Sequence, residues 1–206
     1  MEGDKEISVL SWNNGNDYEV IKKFVEILNE ADEIVGHNID EFDLKLIATR
    51  AIKHNIPILP KFKTSDTLKM ARKKFSFESN KLDFIANFLG IGTKIEHRGL
   101  EMLDDIILHN YKKALEEMII YCIGDVSLTE KVYKKLKNYA YSMVNHSLIA
   151  TNTKNCCPEC GSTNLNLEKT IMSNSRIERV LKCTDCSTIF NMSNTVYNKN
   201  YGEDKK

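Results

Sequence analysis

"EIVGHNIDEFD", residues 33–43, decides how this chain is read. Glu33 to His37 is a short apolar strand broken at Gly36. Phe42 to His54 then carries the spacing of an amphipathic helix that ends before Pro57. Asp43 therefore stands just inside a helix that follows a strand end. A carboxylate delivered to that place by so abrupt a turn needs a partner elsewhere in the chain.

The flanking segments supply the frame. Asp17 to Ala31 places Val20, Ile21, Phe24, Val25 and Leu28 on one helical face. Ile7 to Trp12 reads as a strand, turned by NNGND, and a second short strand is expected around Phe62 to Ser65. Asp66 is placed to cap a helix over Thr67 to Lys74. Another helix is expected from Leu82 to Leu89, stopping at Gly90. A long one from Lys112 to Leu136 would bury Leu115, Met118, Ile119, Cys122, Val126, Val132 and Tyr133. Strands alternating with helices predict an α/β fold, a mostly parallel sheet covered by helices. From about His146 the chain changes to short polar stretches punctuated by cysteines. The expected division is a first domain over 1–145, a linker over 146–156, a cysteine-rich module over 157–190 and a disordered tail over 191–206.

Composition narrows the class. The chain has 206 residues, 42% of them hydrophobic and 28% charged, with a formal net charge of zero. That is a soluble globular balance, with no global field to drive it onto nucleic acid or membrane, so any such binding must come from local patches. No apolar run reaches the length of a membrane span, and MEGDKEISVLSW is too polar for a signal peptide. The expected compartment is the reducing cytoplasm, or the host cytoplasm for a phage-encoded chain, and the six cysteines are read in that light.

CPEC at 157–160 and CTDC at 183–186 are two Cys-x-x-Cys knuckles separated by 22 residues. Two such knuckles complete a tetrahedral thiolate site, so Cys157, Cys160, Cys183 and Cys186 are expected to bind one structural zinc in a zinc ribbon. Disulfides are the alternative, and Cys156 is a spare thiol beside a ligand. Lys169, Arg176, Arg179 and Lys182 are candidates to face phosphates, although acidic residues interleave with them. Residues 61–81, KFKTSDTLKMARKKFSFESNK, hold seven Lys or Arg against two acids, with Phe62, Phe75 and Phe77 interleaved. Cations for phosphates and rings for unstacked bases suit a single-strand groove, with Lys73 and Lys74 in the grip. A solvated helix face with buried phenylalanines accounts for the same pattern.

Tyr121 and Asp125, in YCIGD, lie four apart in the long helix and so share a face. Together with GHNIDEFD they resemble the second and third motifs of the DEDD 3′–5′ exonucleases, Tyr-x-x-x-Asp subclass. The nearest resemblance is to the exonuclease domain of family B DNA polymerases, where Asn38 and Phe42-Asp43 match the second motif. DTLKMARKKFSFESNKLDFIANFLGIGTK, residues 66–94, is similar to stand-alone phage-type members with a C-terminal zinc ribbon. The resemblance implies an RNase H-like fold and hydrolysis of single-stranded 3′ ends by two Mg2+ or Mn2+ ions about 3.5–4 Å apart. Asp43 and Asp125 would be metal ligands, and Tyr121 would position the water. Phe42 would lie against the substrate, and Asn38 would hold the terminal nucleotide or close the strand end.

The family's first motif, Asp-x-Glu at the end of an apolar strand, has no clear counterpart. Asp4-Lys5-Glu6 fits the letters but precedes the strand, and the neutral Asn13 and Asn14 cannot replace anionic ligands. The family begins with three strands before its first helix, whereas one is found here. The metal site is therefore expected to be incomplete and the chain alone a weak nuclease or none. The alternatives are a nucleic-acid-binding or replication-associated module, a fragment completed by another polypeptide that supplies the Asp-x-Glu strand, and a zinc-ribbon scaffold for protein partners.

Overall fold

The computed structural model describes residues 9–10, 16–59, 62–96, 98–139 and 155–201. The chain divides into two compact units, Gly3–Lys137 and Asn138–Lys206; the sequence placed that boundary near His146. Of the expected strand over 7–12, only Val9 and Leu10 are described, without strand pairing. Asp4, Glu6, Asn13 and Asn14 lie outside the described residues.

In the first unit α1 (Tyr18–Glu30) is followed by β1 (Glu33–Gly36), α2 (Asp43–Lys53) and β2 (Lys63–Asp66). β1 and β2 are parallel, with Ile34 opposite Thr64 and Gly36 opposite Asp66. A parallel pair needs a crossover rather than a hairpin, and α2 lies in that connection. α1 buries Ile21, Val25 and Leu28, and Ile21 and Val25 join Ala51 of α2 in one core cluster. Four more helices complete the unit: α3 (Thr67–Lys74), α4 (Leu82–Phe88), α5 (Leu100–Ile107) and α6 (Lys112–Leu136). The sequence reading missed α5. A second core joins Ala71 of α3 and Leu82, Ile85 and Ala86 of α4 to Leu128, Val132 and Leu136 of α6. α6 corrects part of the expected burial, because Cys122 and Val126 are exposed. Its buried stripe runs through Leu128, Val132 and Leu136, and Val126 lies about 200° around the helix from Leu128.

Asp17 flanks α1 but makes no cap with its side chain. It is buried, and accepts from Arg50 Nη2 at 2.7 Å while lying 2.8 Å from His54 Nε2. Those bonds, Arg50 first and His54 second, hold its carboxyl well below the usual range. A depressed folded-state value stabilises the fold above the unfolded pKa of about 3.9 and loses that effect as pH falls toward the folded value. Asp17→Asn is therefore expected to lower the urea midpoint at pH 7, with the gap from wild type narrowing below about pH 4. An equal gap at pH 7 and pH 3 would contradict this.

The second unit is a three-stranded antiparallel sheet of β3 (Leu165–Met172), β4 (Ile177–Cys183) and β5 (Ile189–Ser193), with β4 central. The helix α7 (Asn194–Tyr201) follows directly. The tail expected to be disordered from residue 191 is thus ordered through Tyr201. Tyr197 and Tyr201, four apart, are the reason. The Tyr201 hydroxyl donates to the Asn155 carbonyl at 2.6 Å, and the Arg179 guanidinium lies 5.1 Å from the Tyr197 ring centre. Arg179 also donates to Asn194 Oδ1 at 2.9 Å and Thr170 Oγ1 at 2.6 Å, so it is spent inside the unit rather than offered to phosphate.

Candidate active site and metal centre

The turn that delivers Asp43 depends on Gly36. A Cβ there would lie 2.5 Å from Ile39 Cβ. The chain reverses at once, and Asn38 takes the left-handed region at φ 67°, which Asn tolerates better than most residues. Asp66, 4% exposed at the end of β2, holds the reversal. Its Oδ1 accepts from the N–H of Asn38 at 2.9 Å and its Oδ2 from that of Asp40 at 3.4 Å. Oδ1 also accepts from Leu68 and Lys69 N–H, capping α3 as the sequence predicted. Gly36→Ala is expected to destabilise the unit by about 1–3 kcal/mol, because the obstructing atom is a Cβ and cannot swing away. Adding Ile39→Ala should recover little of the loss, because alanine keeps the obstructing Cβ; a urea midpoint unchanged by Gly36→Ala would contradict the close approach.

His37 ties the same turn to the segment before α4. Its Nε2–H donates to the Asn80 carbonyl at 3.0 Å, and its Nδ1 lies 2.9 Å from Thr67 Oγ1. Burial lowers its pKa, and the Asn80 bond only partly offsets this. Asp43 opens α2, where partial desolvation of its carboxyl, aided by the charge of Asp66, raises its pKa. Phe42, just before it, is 64% exposed.

Tyr121 and Asp125 do share a face of α6, and a residue the sequence reading overlooked joins them. Lys94 Nζ lies 2.8 Å from the Tyr121 hydroxyl and donates to Asp125 Oδ2 at 2.7 Å. Burial works against the Lys94 ammonium, but Asp125 and Tyr121 outweigh it and its pKa is raised. Two contacts place this lysine. Its backbone N–H donates to Asp83 Oδ1 at 2.8 Å, and Gly124, without a side chain, leaves room for Ile95, whose Cδ1 would be 2.7 Å from an added Cβ. Its loop, GIGTK, gave the only sequence hint, a lysine held between glycines and a helix.

The basic stretch is divided differently from expectation. Phe75 and Phe77 stack at 5.1 Å and pack on the core of α3, α4 and α6. They are structural rings rather than stacking platforms. Lys73 is exposed, and neither it nor Lys74 lines the cleft at the end of β1.

The cysteine knuckles adopt one local geometry twice. Cys157 N–H donates to Ser162 O and Gly161 N–H to Cys157 O; Cys183 N–H donates to Thr188 O and Ser187 N–H to Cys183 O. Gly161 and Ser187 both have positive φ, 74° and 62°. The four sulfurs lie within 4.8 Å of one another, with Cys157–Cys186 at 3.5 Å and Cys160–Cys183 at 3.6 Å. Sulfurs bound to one zinc at about 2.3 Å stand about 3.8 Å apart, whereas a disulfide needs about 2.05 Å. The donor set fits a structural zinc. Cys156, buried beside it, is outside the group.

Residues 2–91 match the family model of the DNA polymerase family B exonuclease domain. The match supports a family B polymerase-type exonuclease domain over that part of the chain, and with it a 3′–5′ exonuclease-like function that implies contact with nucleic acid and use of a divalent metal. Its helices and small parallel sheet are consistent with an RNase H-like exonuclease fold. No curated protein and no solved structure matches the chain. No helix among the described residues is long and apolar enough to cross a membrane.

Against a divalent ion, the described residues fit in part. Asp125 Oδ1 is buried without a hydrogen-bond partner and offers one ligand atom, while Oδ2 is engaged by Lys94. Among the described residues, the only group of three or more Cys, His, Asp or Glu side chains close enough to share an ion is the cysteine group.

Proposed function

We propose that this chain binds single-stranded 3′ ends of nucleic acid across the end of β1, with Asp43, Tyr121 and Asp125 as its hydrolytic residues. Asn38 and Phe42 would flank the terminal nucleotide, and Lys73 and Lys74 would add to the surrounding positive field. Magnesium or manganese would be held by Asp43, Asp125 and further carboxylates. The single observation that carries this reading is the Tyr121–Lys94–Asp125 constellation in a chain whose residues 2–91 match a polymerase exonuclease domain. Asp43 and Asp125 alone bring too little negative charge for two divalent ions and a phosphate. The chain by itself is therefore expected to bind single strands and to degrade them poorly. The test is Mn2+-dependent degradation of a 3′-labelled single strand by the purified chain. Robust cleavage would overturn the expected incompleteness and send attention to Asp4 and Glu6, whereas absence of single-strand binding would overturn the functional reading itself.

A second reading has its own support. β1 pairs with β2 on one side, and among the described residues no strand covers its other edge. An open edge of this kind is a template for strand addition, and a polypeptide carrying Asp-x-Glu, within a replication complex or alone, would complete both sheet and site. The reduced thiols that a zinc ribbon needs fit a cytoplasmic setting.

A further inference from the structure

A cleft of about 510 Å3 opens beside Lys94, between the end of β1, α3 and the start of α4. Its polar lining includes His37, Asn38, Arg72, Asn80, Lys81 and Lys94. The size suits a nucleotide rather than a metal or a water cluster. Most of its polar groups are already engaged. Lys94 is held by Asp125 and Tyr121, His37 by Asn80 and Thr67, and the carboxylate of Asp83, the one acid in the lining, by the Lys94 N–H and Asn87.

Besides the Asn38 side chain, three groups are left over. Arg72 and Lys81 are exposed and make no ion pair among the described residues. The side-chain oxygen of Asn80 is buried and has no hydrogen-bond partner. A buried acceptor without a donor costs about 1–3 kcal/mol, so this oxygen is set for a donor that arrives with a ligand. Two free cations beside an unmet acceptor describe a ligand that is anionic and also carries an N–H or O–H.

Lys81 and Asp83 also border a second cleft of about 480 Å3, with Phe84, Asn87 and Phe88. Phe88 is 68% exposed, and its far side rests edge-on against Phe77 at 5.3 Å. That support fixes the ring while leaving a face open. A path therefore leads from Lys94, the partner of Asp125, past Arg72 and Lys81, to an exposed aromatic ring.

We propose that this path is the subsite for the nucleotides just 5′ of the strand end. Arg72 and Lys81 hold a phosphodiester, the Asn80 oxygen accepts a hydrogen bond from the nucleotide, and the next base stacks on Phe88. The subsite rests on the single-strand reading above and assigns the grip to residues other than Lys73 and Lys74.

The experiment is fluorescence anisotropy of a 5′-labelled oligo-dT of about six nucleotides with the full zinc-bound chain, without added divalent metal, over a salt series. Arg72→Gln with Lys81→Gln should weaken binding about tenfold or more and flatten the log–log salt slope by about 1.4, the value for two single-strand phosphate contacts. Phe88→Ala should cost about fivefold or more, and Asn80→Ala should also weaken binding. Lys22→Gln on α1 should leave affinity within about twofold, showing that any lost cation is not enough. Far-ultraviolet circular dichroism should be unchanged in the Arg72/Lys81 variant, whose side chains are exposed. If wild type binds but the double variant keeps its affinity and slope, this subsite is overturned while the single-strand reading stands. If wild type does not bind, both fall.

Discussion

Chelating zinc from the chain, or replacing Cys183 by Ser, is expected to unfold the cysteine-rich unit while the helices of the first unit persist. Among the described residues of the three-stranded unit the fully buried side chains are Cys157, Leu181 and Cys183, with Cys156, Thr188 and Met192 nearly so, a small core without the metal. Structural zinc in small modules contributes about 10–16 kcal/mol of apparent binding energy at neutral pH, more than so small a core can replace. The two cores of the first unit are built from residues between Ile21 and Leu136 and contain no cysteine ligand. Metal analysis should find one zinc per chain. After chelation, amide exchange should lose protection over 165–193 and keep it over α6. A metal-free chain with protected β4 amides, or disulfides between these cysteines, would refute the assignment.

Asp125→Ala and Asp43→Ala form the second large prediction. Any Mn2+-dependent cleavage, by the chain alone or after addition of a polypeptide bearing the Asp-x-Glu strand, should fall by at least about 10²-fold in either variant. Removing one preorganised electrostatic group from an active site typically costs roughly 10²–10³ in rate. Single-strand affinity should stay within a few fold, because neither acid grips phosphate. Asp125→Ala also frees Lys94, whose ammonium is otherwise bound to that carboxylate, so its affinity should rise slightly, if it changes at all. Cleavage insensitive to both substitutions would remove these acids from the site.

Much of the local architecture was legible in the sequence. The apolar spacing of Ile21, Val25 and Leu28 marked α1, Asp66 marked the start of α3, and the four-residue spacing of Tyr121 and Asp125 put them on one face of α6. The cysteine spacing identified four converging thiols before any coordinate did. Where the reading failed, a local pattern had two meanings. Phe75 and Phe77 fit a stacking groove as well as a core, and only their packing on α4 and α6 separated the two. The polar run after residue 190 hid Tyr197 and Tyr201, whose partners Arg179 and Asn155 lie far back along the chain.

The sequence by itself determined most helix positions of the first unit, though not α5, the four-cysteine ligand set and the shared face of Tyr121 and Asp125, because periodicity, capping and knuckle spacing act over a few residues. Only the tertiary structure decided which polar groups meet. Lys94 reaches Asp125 across 31 residues, His37 reaches Asn80 across 43, and Asp66 reaches Asn38 across 28. Such pairings depend on where loops close and on whether a glycine, Gly36 or Gly124, leaves room for the approach. A one-dimensional pattern shows that a lysine follows a glycine-rich turn. The packing of that turn against α6 is what turns the lysine into the partner of Asp125.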